Sequence, residues 1–193
     1  MSEVNYDIML DFLYQSISDT QGTIRAIDTK LSIIIAILSL PFTTIGKICN
    51  RFYRIPELYQ QYPQKALAYT MFTVFGLLWL MAFVISFRGL IGIDNPSLHI
   101  KKSNNIKGIF FNGDLYRCKF VDAFTNSKKV LSIRTLNQQI GMLPTTKKEL
   151  VNELAYEQMK LTYIRHMKQL RHNWGYQMTF YWLILGFLIY LTV

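Results

Sequence analysis

Leu31–Ile48 reads LSIIIAILSLPFTTIGKI. Its one charge is Lys47, near its end, from where a long side chain reaches the headgroup level of a bilayer. As a helix the stretch rises about 27 Å, close to the roughly 30 Å of hydrocarbon in a membrane. Two further segments read the same way. Residues 66–87, ALAYTMFTVFGLLWLMAFVISF, carry no charge and rise about 33 Å. Residues 176–193, YQMTFYWLILGFLIYLTV, are also uncharged. Trp174, Tyr176, Tyr181 and Trp182 gather at the entry of this last segment, as in an aromatic belt at a membrane surface. A single such segment fits the core of a soluble protein; three in 193 residues do not. The reading is an all-α integral membrane protein with three transmembrane helices, 31–48, 66–87 and 176–193. The first is not read as a signal peptide. It starts thirty residues in, follows an acidic stretch and lacks a small-residue cleavage pattern.

Composition agrees. Charged residues make up 17% of the chain, against about 25% in soluble domains. The net charge of +9 is uneven. Residues 1–28 hold Glu3, Asp7, Asp11, Asp19 and Asp28 against Arg25 alone, whereas 88–171 hold fifteen Lys and Arg against six acids. Basic residues favour the cytoplasmic side of membrane spans. This places the N-terminal segment 1–30 and the basic region 88–175 in the cytoplasm. Residues 49–65, with Arg51, Arg54 and Lys65, become an external loop. A basic surface also suits anionic lipid headgroups, nucleotides or nucleic acid. The topological bias explains the charge without a nucleic-acid partner, and none is expected.

Two amphipathic segments adjoin the spans. Leu10, Leu13, Ile17, Thr20, Ile24, Ile27 and Leu31 follow a three-four spacing, a coiled-coil-like seam with a polar break at Thr20. It runs without a loop into the first span. Thr146-Lys147-Lys148-Glu149 matches a capping box, and no proline follows it. Leu150, Leu154, Leu161 and Ile164 form a stripe broadened by Tyr156, Met159, Tyr163 and Leu170. A long stalk helix is expected to continue into the third span, bending at Gly175. The two amphipathic helices form a cytoplasmic layer, packing on each other or on copies in a homo-oligomer. Between them lie turn signals at Asn95-Pro96 and Ser103-Asn104-Asn105, an aromatic run between Gly108 and Gly113, and a short helix expected at Asp114–Phe124. Pro41 removes a backbone donor from the first span, and a tolerated kink is its simplest account.

Catalytic and metal-binding patterns are missing from the sequence. No G-x-S-x-G, P-loop or H-E-x-x-H occurs. His99, His166 and His172 form no ligand set with Cys49 and Cys118. Glu149, Glu153 and Glu157 repeat every fourth residue, read as the solvated face of the stalk. The chain is therefore read as non-enzymatic, with no cofactor and no metal. One polar site stands out. Asp28-Thr29-Lys30 lies at the mouth of the first span, where a charge is costly unless paired or hydrated. Asp28 and Lys30 are too far apart around a helix to pair. Partners for Asp28 are Arg25 one turn back, or Arg88, Lys168 or Arg171 near the other spans.

In order and spacing these features resemble the Pycsar effector domain family. The matching residues are Asp28 and Lys30 in IRAIDTKLSIIIAIL, Asn95-Pro96, Phe110-Phe111 with Gly113 in GIFFNGDLY, and the stalk YIRHMKQLRHNWGY. The chain departs from the family pattern at Leu31 and at Asn112. The resemblance implies a bacterial inner-membrane effector of antiviral defence. A neighbouring synthase makes a cyclic nucleotide on infection, and the effector senses it, assembles in the membrane and impairs membrane integrity. On this reading Phe110 and Phe111, by stacking on a base, and Arg117, Lys119 and Arg134 are the candidate ligand contacts. A small core is the competing role for the phenylalanines. The alternative function is a membrane-anchored adaptor that recruits a soluble partner through the coiled-coil layer. A transporter or constitutive channel is disfavoured because no span carries a charge at mid-depth.

Overall fold

The computed structural model describes residues 5–58, 61–92, 96–101, 106, 108–109, 115 and 132–192. Among these the secondary structure is helical. Helix α1 spans Tyr6–Leu58, α2 Tyr62–Leu90, α3 Leu136–Ile140 and α4 Lys147–Thr192, with a single 3-10 turn at Pro96–His99. The helix expected at Asp114–Phe124 lies outside the described residues.

Local chemistry sets the helix starts. The Asn5 side-chain oxygen accepts from the amides of Asp7 (3.1 Å) and Ile8 (3.3 Å), and Asp7 adds a favourable charge to the first turn. Pro63 stands in the first turn of α2, where its missing donor costs nothing. Thr135 and Gln138 make a reciprocal capping box for α3. At α4, Thr146 Oγ1 accepts from the Glu149 amide (3.2 Å), while the Glu149 carboxylate accepts from the amide of Thr145 (2.9 Å) instead of that of Thr146. The expected box is thus present with its second half displaced by one residue. Helix α1 continues past Ile48 to Leu58, running through Pro41 and Pro56, so residues 49–58, expected in a loop, are helical.

The chain divides into two units. One takes its described residues from Met1–Gln21 and Asn95–Tyr163, the other from Gly22–Asp94 and Ile164–Val193. In the first, Leu13, Ile17 and Thr20 of α1 are buried, as are Val151, Leu154, Tyr156 and Leu161 of α4, together with Ile100 and Ile109. Of the predicted seam, Leu13, Ile17 and Thr20 are buried here and Ile27 and Leu31 in the other unit, while Leu10 and Ile24 are half-buried. The stripe on α4 is shifted: Met159 is exposed and Val151 is buried. Gln158 Nε2 donates to Ser16 Oγ (3.2 Å), and Lys147 pairs with Asp7 at 2.8 Å. His99 stacks on Tyr163 with ring centroids 4.4 Å apart.

The second unit is a three-helix bundle of α1, α2 and the C-terminal part of α4. Ile34, Leu38, Ala82 and Trp182 form its core, with Phe75, Trp79, Phe83 and Met178 packed around them. Trp182, expected in an aromatic belt, is thus a core residue. Trp79 Nε1 donates to the Leu38 carbonyl (2.8 Å), one residue from Ile37, whose carbonyl loses its helical donor to Pro41. The bundle is packed on small residues. The buried residues of α2 are Ala68, Ala82, Ser86 and Gly89. A Cβ on Gly175 would stand 2.5 Å from Ser86 Oγ, and one on Gly186 would stand 2.9 Å from the Phe75 ring. Gly175 therefore serves close helix contact; α4 continues through it. Other large apolar side chains, among them Leu67, Leu77, Leu80, Phe180 and Phe187, are exposed. α1 and α2 each hold a stretch long and apolar enough to cross a membrane.

Candidate functional site

Within the bundle, buried positions on α4 fall at Lys168, Gly175, Thr179, Trp182 and Ile189, alternating by threes, fours and sevens. Lys168 is the charged member of this seam. Its ammonium pairs with the Asp28 carboxylate on α1; the lysine side chain is 7% exposed and the aspartate 36%. Of the partners the sequence offered Asp28, the structure selects Lys168. Arg25 is exposed, and its carbonyl accepts from Thr29 Oγ1 (3.1 Å).

Arg171, one turn further along α4, donates to the Arg88 carbonyl at 2.6 Å. Arg88 lies in the last turn of α2, where carbonyls have no helical donor and the helix dipole is negative. The guanidinium therefore caps α2. Gly89 allows the approach, since a Cβ there would stand 2.8 Å from Leu31 and 3.5 Å from Arg171 Cβ. Asp28, Arg88, Lys168 and Arg171 thus join the three helices at one end of the bundle. Lys30 is exposed and stays outside this set. An ammonium this buried depends on its carboxylate partner, since losing that partner leaves its charge uncompensated.

A second polar centre lies in the other unit. Glu153 and Glu157, expected on a solvated face, are 7% and 3% exposed. That expectation is corrected. Glu153 accepts from the backbone amides of Gly108 (3.2 Å) and Ile109 (3.0 Å), one on each carboxylate oxygen. Gly108 has φ +68°, and a Cβ on it would stand 3.2 Å from the Tyr156 ring. Backbone conformation and close approach thus both favour glycine. Glu157 forms an ion pair with Lys160. Burial pushes the Glu157 carboxyl above its ordinary range, opposed by Lys160 and reinforced by Glu153. The signal for both was in the sequence. Residues 150, 153, 154, 157, 161 and 164 occupy one arc of about 100° on a helix, so the two acids belong to the apolar stripe.

Among the proposed ligand contacts, Phe110, Phe111, Arg117 and Lys119 lie outside the described residues. Arg134 is half-buried in the turn before α3, and its carbonyl accepts from Ser132 Oγ (2.8 Å). Glu153 holds the two residues that precede the Phe110-Phe111 pair in sequence. Among the described residues no cluster of His, Cys, Asp and Glu could hold a metal ion. No family model, curated protein or solved structure matches this chain.

Proposed function

We propose that the chain is a three-span protein of the bacterial inner membrane that responds to a nucleotide signal by impairing membrane integrity, arresting or killing the infected cell. The observation that carries this is the Asp28–Lys168 pair with the Arg171 cap on α2. It is a charged fastening between three helices whose core is built of apolar and small residues. Support for three spans comes from the bundle itself. The uncharged end of α4 packs against both helices that are long and apolar enough to cross a membrane. Many of its large apolar residues are exposed, while Gly175 and Gly186 bring it into close contact with α2, as in helices packed in lipid. Its tyrosines, tryptophan and Gln177 make it less apolar than its neighbours without adding a charge.

The resemblance to Pycsar effectors supplies the signal and the outcome. The basic region of 88–175 faces the cytoplasm and takes a cyclic nucleotide from a neighbouring synthase. On this reading the signal reaches the spans through α1 and α4, which contribute residues to both units. Opening the fastening then loosens the bundle within a homo-oligomer. The test is a voltage-sensitive dye in cells expressing the chain, with and without a co-expressed nucleotide cyclase. Depolarisation dependent on the cyclase is expected. A stable potential in cells shown to contain inserted protein overturns the reading.

One observation favours the adaptor reading. Ile8 and Phe12 of α1 are 66% and 68% exposed, an apolar edge suited to a soluble partner or a second copy. A stoichiometric co-purifying protein, with no toxicity on overexpression, would select it.

A further inference from the structure

At the end of the bundle away from Asp28, two apolar clefts adjoin. One, of about 280 Å³, is lined by α1 and α2 and includes Phe42, Phe52 and Trp79. The other, of about 190 Å³, lies among α1, α2 and α4. They share Ile48, Phe72 and Phe75 as a common wall. Among the described residues, the one charged side chain lining either cleft is that of Arg51, whose guanidinium sits over the Tyr190 ring, 5.9 Å from its centroid.

Arg51 is not alone. Lys47, Arg51 and Arg54 are spaced by four and three, so they share one face of α1. Between Asp28 and Asp94 the sequence has a single acid, Glu57, and none follows Glu157. This cationic face lies at the end where positive-inside bias should make bases scarce, so topology does not account for it. We propose that these clefts and Arg51 form a binding site for an anionic phospholipid. Its two acyl chains occupy the two clefts and its phosphate meets the guanidinium. Guanidinium binds phosphate through paired hydrogen bonds, and two adjoining apolar clefts match two chains joined at one glycerol. The cationic face favours a net negative headgroup, since a zwitterionic lipid brings it no compensating charge.

The site rests on the three-span reading and not on the response to a nucleotide. The test uses the full chain, first checked for insertion by membrane flotation. It is then incorporated in nanodiscs holding equal phosphatidylglycerol and phosphatidylcholine with the same acyl chains. Lipid retained after mild detergent extraction is counted by native mass spectrometry. A preference for phosphatidylglycerol of about tenfold is expected, the order that a charge-assisted contact provides. Arg51→Gln brings the two lipids to near parity, and Arg51→Lys keeps part of the preference. Ile189→Trp fills the smaller cleft and lowers retention of both. Circular dichroism of each variant shows whether the helices persist. Equal retention by the unaltered chain, or a preference that Arg51→Gln leaves intact, overturns the site alone. Displacement of the lipid by inorganic phosphate alone also overturns it. A chain that does not float with membranes overturns both the site and the three-span reading.

Discussion

Lys168 on α4 and Asp28 on α1, 140 residues apart in sequence, form an ion pair in which the ammonium is buried and the carboxylate partly open to water. Removing the carboxylate leaves the ammonium with neither partner nor full hydration. Asp28→Asn is expected to destabilise the bundle by about 1–3 kcal/mol, below the range for a fully buried pair because Asp28 keeps some solvent. Lys168→Met costs less, since the carboxylate it leaves behind is partly hydrated. A double-mutant cycle of thermal melts in detergent checks the pair; additive losses would show that the two residues do not act together.

Glu153 fixes the backbone of Gly108 and Ile109 through both carboxylate oxygens. Glu153→Gln leaves one acceptor oxygen for two donors, and about 1–3 kcal/mol of local stability is expected to go with the second. Hydrogen exchange at the Gly108 and Ile109 amides should quicken, with little change across α2. Unchanged exchange at those two amides would remove Glu153 as the anchor.

The raised Glu157 carboxyl gives stability a pH dependence of definite sign. An acid whose folded value lies above its unfolded value favours the folded state most when protonated. Its contribution is fully present below the unfolded value of about 4.5 and is lost as pH rises through the raised folded value. Lowering the pH from 7 toward 5 therefore strengthens this unit through Glu157, against the trend set by ordinary ion-paired carboxylates. Glu157→Gln, which cannot ionise, should flatten that part of the profile. Melting temperatures of both proteins between pH 5 and 8 make the comparison, and identical profiles would contradict it.

Glycine at 175 is a packing requirement. A Cβ there meets Ser86 Oγ at 2.5 Å, with the Ser86 backbone behind it, whereas a Cβ at 186 meets the outer edge of the Phe75 ring. Gly175→Ala is expected to cost about 1–3 kcal/mol by overpacking, and Gly186→Ala less, because the ring can swing aside. Pairing Gly175→Ala with Ser86→Gly should recover much of the loss in the same melts. No recovery would place the defect elsewhere.

The fold was legible wherever one physical rule dominated. Uncharged stretches marked the bundle helices, and five of the seven seam positions, Leu13, Ile17, Thr20, Ile27 and Leu31, are buried, with Leu10 and Ile24 half-buried. Asp28 was legible as a charge in need of a partner, but four bases were open to it; the packing of α4 on α1, set by residues far apart in sequence, puts Lys168 there. Glu153 and Glu157 were misread because their four-residue repeat resembles a solvated face, although their helical phase already placed them in the stripe. Trp182 was misread because an indole at a span's entry suits an interface equally well. The small residues of α2 carry no periodic apolar signal, so Ser86 and Gly89 emerged only from the packing.

The proposed function requires α4 to cross the membrane as a third span, which would put its two ends on opposite sides. Single cysteines at Gln61, Lys148 and Thr192, in a chain whose Cys49 and Cys118 are replaced by serine, can be labelled with a membrane-impermeant maleimide in intact spheroplasts and after lysis. Three spans predict that the cysteines at 61 and 192 react from outside and the one at 148 only after lysis. Reaction of positions 148 and 192 from the same side would contradict a third crossing, and with it the membrane-effector reading built on the Asp28–Lys168 fastening.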